Sequence, residues 1–328
     1  MPNDLTHRQL ENINGLSMHI AEQGAGQGAG QDARPAVVLC HGFPELWYSW
    51  RHQIPALAAA GFRVIAPDQR GYGDTSAPEA IDSYSQKYLC EDLVALLDAL
   101  EIEKAVFVGH DWGGAVVWNM GLHFPERTRG VIGVNTPFFP QAPASILEAR
   151  AADPGIWDYQ FYFQEPGVAE AELEADVEKS FRLIFRSSDP ADEFDALAHF
   201  GTVRERGGVL AGLPQDAPRS VMLTEEELQV FVTAFERTGF RGGLNWYRNA
   251  QSSWEWGEET KGQIVERPSL MVTAGKDPVL TPELAAGMEQ FVPQLSRGHI
   301  EQCAHWTQQE RPDELNKILV DWLMSLDG

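Results

Sequence analysis

The chain has 328 residues, 43% of them hydrophobic, enough to bury one large core or a core with an inserted second unit. Its 25 basic and 48 acidic residues leave a net charge of −23, a surface that repels nucleic acid and anionic membranes. Cys40, Cys90 and Cys303 form no Cys-x-x-Cys pair and make no complete disulfide framework, so the composition points to a reduced, cytoplasmic protein.

The first eight residues hold no apolar signal core, and no apolar run approaches the ~20 residues of a membrane helix. Asn14-Gly15 between Gln9–Ile13 and Leu16–Ala21 predicts a hairpin. Gly24 to Gly30, rich in Gly, Ala and Gln, reads as a flexible surface loop. Short apolar runs then recur at Val37–Cys40, Phe62–Ala66, Ala105–Val108, Val131–Val134 and Leu270–Ala274, each ending in a turn rich in Gly, Pro, Asp or Asn. Longer helical segments separate them. That alternation predicts an α/β protein with a mostly parallel sheet and helices on both faces.

The strand rhythm stops near Phe139. Over 140–261 the pattern is helical. A helix is expected from Val168 to Phe185, with Leu173, Val177, Phe181 and Ile184 on one face. Thr224-Glu225-Glu226-Glu227 is a capping box ahead of Leu228, Phe231 and Phe235, and Gly239 is a helix stop. A last helix, Asp313–Leu326, is expected to bury Leu315, Ile318, Leu319, Trp322 and Leu323. The expected organisation is a core formed by 1–139 and 262–328, with a helical lid, 140–261, inserted in it.

In an open α/β sheet, ligands collect at the carboxyl ends of the strands. Four turns there draw notice: His41-Gly42-Phe43-Pro44-Glu45, Gly109-His110-Asp111-Trp112-Gly113-Gly114, Gly275-Lys276-Asp277-Pro278 and Cys303-Ala304-His305-Trp306. The second has the small-x-nucleophile-x-small-small form of a nucleophile elbow, with Asp111 where Ser usually stands. Asp277 and His305 follow in the order nucleophile, acid, histidine of an α/β-hydrolase. Read alone, Asp111 could be a helix N-cap and His305 a surface histidine; the ordered set favours chemistry. His110 and His41 are expected to brace the loops rather than react.

A carboxylate nucleophile attacks an sp³ carbon and forms an ester, which water activated by a histidine then opens. Strained epoxides and alkyl halides both fit. An epoxide leaves an alkoxide and needs an acid; a halide needs N–H donors. Tyrosines Tyr159, Tyr162 and Tyr247 lie in the helical insert, and a phenol of ordinary pKa ~10 can donate to an epoxide oxygen at neutral pH.

Over nearly its whole length the sequence resembles the α/β-hydrolase domain of the soluble epoxide hydrolases. The carrying stretches are HGFPELWYSW at 41–50, HDWGG at 110–114, YFQEPGVAEAELE at 162–174, TGFRGGLNWYRN at 238–249 and GHIEQCAHWTQ at 298–308. The resemblance implies Asp111 as nucleophile and Tyr162 and Tyr247 as donors to the epoxide oxygen, with Tyr159 the local competitor of Tyr162. It implies Asp277 and His305 as the pair that activates water. It implies an oxyanion hole from the backbone N–H groups of Phe43 and Trp112, a cis Phe43-Pro44 bond, and a pocket lined by Phe43, Pro44 and Trp112. The vertebrate relatives carry a further N-terminal phosphatase domain; this chain has no room for one, so phosphatase activity is not implied.

The expected function is hydrolysis of a small-molecule epoxide to a vicinal diol through an alkyl-enzyme ester, with no cofactor and no metal, by a cytoplasmic monomer or homodimer. The rivals are a haloalkane dehalogenase using the same Asp and a binding protein of the same fold without chemistry.

Overall fold

The structure, a computed structural model, describes residues 5–24, 34–192 and 194–326. Eight strands form one sheet: β1 (Thr6–Ile13), β2 (Leu16–Gln23), β3 (Ala36–Cys40), β4 (Arg63–Pro67), β5 (Ala105–His110), β6 (Thr128–Val134), β7 (Ser269–Ala274) and β8 (Leu295–Ile300). Their order across the sheet is β1-β2-β4-β3-β5-β6-β7-β8. The β1/β2 and β2/β4 pairs are antiparallel and every other pair is parallel. Asn14 and Gly15 turn β1 into β2 with φ of 48° and 80°, as the Asn-Gly pair requires. The expected loop at Gly24–Gly30 falls outside the described residues from position 25 onward.

The helices are α1 (Gln53–Ala59), α2 (Gln86–Ala99), α3 (Trp112–His123), α4 (Ile146–Ala149), α5 (Asp158–Tyr162), α6 (Val168–Leu173), α7 (Val177–Ile184), α8 (Val203–Arg206), α9 (Glu225–Thr238), α10 (Arg241–Arg248), α11 (Ala250–Gly257), α12 (Thr307–Glu310) and α13 (Pro312–Ser325). Period-2 alternation splits the strands between two cores. Val37, Leu39, Val106 and Val108 pack with Ile54 and Leu57 of α1 and Leu315 and Leu319 of α13. Val38, Cys40 and Phe107 face the other side, with Leu89 and Leu93 of α2 and Val116 and Met120 of α3. This second core continues into the helices between β6 and β7, through Phe181, Phe231, Phe235 and Phe240.

One sequence expectation needs correction, and one strand was not anticipated. Val168–Phe185 is two helices, not one. α6 ends at Leu173, and Asp176 caps α7 by accepting the Lys179 N–H at 2.9 Å. Leu173, Val177, Phe181 and Ile184 are nevertheless all buried, because the break preserves the face. The strand is β8, which carried no apolar run. It is an edge strand with Ser296, Arg297 and His299 turned partly to solvent, held by its parallel ladder to β7. The capping box of α9 is present in both directions: Glu227 N–H to Thr224 Oγ1 at 3.2 Å, and Thr224 N–H to Glu227 Oε2 at 2.7 Å.

β3 leads to β4 on one side and neighbours β5 on the other, so the strand order reverses at β3. The crevice at the carboxyl ends of β3 and β5 is the switch point where this class of sheet takes its ligands. The turns after β3 and β5 carry Phe43 and Asp111.

Candidate active site

Asp111 stands between β5 and α3 with φ 50° and ψ −121°, a conformation that an L-residue adopts only when its surroundings impose it. The neighbouring glycines are those surroundings. A Cβ on Gly109 would overlap the backbone of Gly113, and one on Gly113 would overlap the Cys40 carbonyl. On Gly42 it would sit 2.5 Å from Asp111 Oδ1. The strand, the turn and the helix therefore approach closely enough to lift the Asp111 carboxylate toward the crevice.

There its Oδ1 accepts the Phe43 N–H at 2.9 Å, and the Trp112 N–H also serves the carboxylate. Burial raises the carboxyl above its ordinary range, while His305, His110 and these two N–H groups pull the other way. The Phe43-Pro44 peptide is cis.

His305 completes a chain. Its Nδ1 donates to Asp277 Oδ2 at 2.8 Å, and its Nε2 faces Asp111 Oδ2 at 3.8 Å, within the reach of one bridging water. The Asp277 carboxylate is fully held: Oδ2 also takes the Asn135 amide at 2.7 Å, and Oδ1 takes the Val279 and Leu280 N–H groups at 2.9 Å each. Burial alone would raise Asp277, but His305 and these donors bring it down to about 2. Burial alone would lower His305, but the charges of Asp277, Asp111 and Glu45 raise it to about 9. A nearby proton-holding imidazole therefore faces a carboxylate nucleophile in the resting site.

Behind this chain lies a second buried network. His110 meets Glu45 Oε2 through Nδ1 at 2.8 Å and the His305 carbonyl through Nε2 at 2.7 Å. Glu45 also accepts the Gly42 N–H at 2.8 Å and the Gln308 amide at 2.6 Å. The residue before Asp111 thus ties the turn after β3 to the loop of His305. His41 braces the same turn, with Nδ1 to the Gly42 carbonyl at 2.9 Å and Nε2 accepting the Gln69 N–H at 3.0 Å. Sequence reasoning did not single out Asn135, Glu45 or Gln308. Asn135 has a φ of 63°, which only the folded turn after β6 reveals.

Two cavities meet at Asp111 and Tyr159. One is narrow, about 20 Å³, walled by Phe43, Leu173, Ile184, Phe200 and Trp306. The other is a recess of about 470 Å³, walled by Trp112, Thr136, Trp157, Gln160 and Leu284. Tyr247 lines the narrow cavity, its ring 5.0 Å from Trp112 and 5.8 Å from Tyr159.

Tyr162 is not in either lining set, which corrects the expectation placed on it. Its hydroxyl donates to Glu172 Oε2 at 2.9 Å. The same Glu172 carboxylate takes the Val209 and Leu210 N–H groups at 2.9 Å each, so it is anchored in the helical layer. Tyr159, three residues earlier, is 5% exposed and lines both cavities. Burial pushes the Tyr159 and Tyr247 phenols up, so both hold their protons at neutral pH.

Converting the Asp111 carboxylate to an ester removes one of the charges that keep the His305 proton on. The pKa of His305 then falls from about 9, and the histidine becomes a base. The rate of ester hydrolysis is expected to rise with pH through an inflection below that value, read by single-turnover tryptophan fluorescence across pH. An inflection at or above 9 would show that Asp111 does not hold the proton in place.

The three cysteines are buried and unpaired. Among the described residues no helix is long and apolar enough to cross a membrane.

The model of the α/β hydrolase fold matches residues 35–312. Bifunctional epoxide hydrolase 2 of Sus scrofa is 49% identical over 98% of this chain and 56% of its own, so the chain spans little more than half of that relative. Epoxide hydrolase A of Mycobacterium tuberculosis is 41% identical over 97% of this chain and 98% of its own. The crystal structure of epoxide hydrolase A from Mycobacterium thermoresistibile superposes with a TM-score of 0.86 at 40% identity, covering 98% of each chain. Elbow, sheet order and near full-length identity agree: the chain belongs to the α/β-hydrolase fold family, among its epoxide hydrolases.

Proposed function

We propose that this chain hydrolyses epoxides to vicinal diols through an ester on Asp111. The observation that carries the reading is the convergence of a carboxylate nucleophile and two phenols on one apolar cavity. Asp111 attacks an oxirane carbon, forming a C–O bond. The ring C–O bond breaks, and its electron pair goes to the ring oxygen, which takes a proton from tyrosine. Tyr159 and Tyr247 are the donors.

His305, oriented by Asp277, then takes a proton from water. The hydroxide adds to the Asp111 carbonyl, whose oxyanion the N–H groups of Phe43 and Trp112 receive. Collapse releases the diol and restores the carboxylate, and the proton on His305 returns to the tyrosinate through solvent. Phe43, Pro44 and Trp112 wall the reacting centre.

The helices of 140–261 act as a cap on the core formed by 1–139 and 262–328. A cytoplasmic setting fits the three unpaired thiols. A haloalkane dehalogenase would use the same Asp111, but a departing halide takes no proton and leaves the paired phenols without work.

The test is diol formation from trans-stilbene oxide, read by mass spectrometry beside Asp111→Ala. Diol from the wild type alone supports the reading. Halide release from a bromoalkane without diol from any epoxide would overturn it.

A further inference from the structure

The two phenols are not equivalent, and their difference lies in Gln160. This side chain is 8% exposed and stands in the wall of the wider recess. Its amide Nε2 donates to the Tyr159 hydroxyl oxygen at 3.3 Å. The Tyr247 ring stands 5.8 Å from that of Tyr159 and 5.0 Å from that of Trp112. The Tyr159 oxygen thus accepts the amide N–H, and its own hydroxyl proton is left for a substrate oxygen. A hydroxyl whose oxygen already accepts hydrogen bonds is a stronger donor, and its conjugate base is stabilised by the same N–H.

We infer that Gln160 is a positioning residue that makes Tyr159 the principal acid for the oxirane oxygen. This rests on the epoxide-hydrolase reading above. In the alkylation step, Asp111 bonds to carbon, the ring C–O bond breaks toward oxygen, and the Tyr159 proton passes to that oxygen. The Gln160 amide N–H then faces a phenolate. In the hydrolysis step Gln160 has no part, because His305 and Asp277 activate the water. Tyr159 thereby differs from Tyr162, whose hydroxyl gives its proton to a carboxylate and has none to spare.

The test uses Gln160→Leu and the near-isosteric Gln160→Glu in the full chain, with enzyme in excess over trans-stilbene oxide. Ester formation and ester hydrolysis are timed separately by rapid quench and protein mass. Loss of a hydrogen bond to a developing charge is expected to slow alkylation about tenfold in both variants, with hydrolysis unchanged. A nitro-substituted stilbene oxide, whose alkoxide needs less help, should lose less. In a Tyr159→Phe background, Gln160→Leu should cost nothing further, since it acts through that phenol. Alkylation at the wild-type rate in both variants, or both steps falling together, would overturn the inference. Wild-type protein that forms no ester and no diol would overturn the epoxide reading itself.

Discussion

His305→Gln protein incubated with an epoxide gains the mass of that epoxide on Asp111 and releases diol about 10²- to 10⁴-fold more slowly than wild type. The geometry separates the two chemical steps. Attack needs the Asp111 carboxylate and the phenols, none of which depends on His305 for a proton. Hydrolysis needs a base against the ester carbonyl, and His305 Nε2 is the group placed there, 3.8 Å from Asp111 Oδ2 with Asp277 behind it at 2.8 Å. Glutamine fills the site without accepting a proton, so the ester persists. The chain then has a stable adduct to count by mass, and a peptide digest places it on 111. An unchanged protein mass, with the variant folded by circular dichroism, would mean that attack and hydrolysis are not separate steps.

Tyr159→Phe combined with Tyr247→Phe lowers the alkylation rate about 10³-fold, while Tyr162→Phe leaves turnover near wild type. The oxirane oxygen departs as an alkoxide unless it is protonated, and apart from the phenols and His305, which faces Asp111, the cavity wall is largely apolar: Phe43, Leu173, Ile184, Leu197, Phe200 and Val279 line it. Only Tyr159 and Tyr247 bring hydroxyl protons there among the residues that line the narrow cavity. Either phenol alone retains part of the effect, so the double variant carries the full loss. Steady-state kcat/KM and rapid quench check it. A double variant at the wild-type rate, or a Tyr162→Phe protein as impaired as the double, would reverse the assignment of the acids.

The contrast between Tyr159 and Tyr162 marks how far the sequence is legible. Both sit in one short aromatic stretch, Tyr159-Gln160-Phe161-Tyr162-Phe163, and both fit a polar handle on an apolar body. What separates them is Glu172, thirteen positions beyond Tyr159, whose carboxylate captures the nearer hydroxyl once α5 and α6 pack. Tertiary contact decides that, and no periodicity within the stretch reports it. Gln160 was hidden for the same reason: a lone amide has no spacing to betray it.

The core was far more legible. Val37–Cys40 and Ala105–Val108 are buried on both faces, so they read as unbroken apolar runs, and each ends in a turn whose glycines the close packing demands. β8 was not, because an edge strand can present Ser296, Arg297 and His299 and still pair. Asp111, Asp277 and His305 were found by order along the chain, and the structure brings all three together. The support behind them, Asn135 and the Glu45–His110–Gln308 network, was missed because it joins segments far apart in sequence.

The central claim is that the oxygen delivered to the substrate comes from Asp111 rather than from water. The direct measurement is a single turnover in ¹⁸O-labelled water with enzyme in excess, followed by mass spectrometry of the diol and of the peptide carrying Asp111. The account predicts an unlabelled diol and one ¹⁸O in the Asp111 carboxylate. A labelled diol with an unlabelled Asp111 would mean that water attacks the epoxide directly, and the ester route would be wrong.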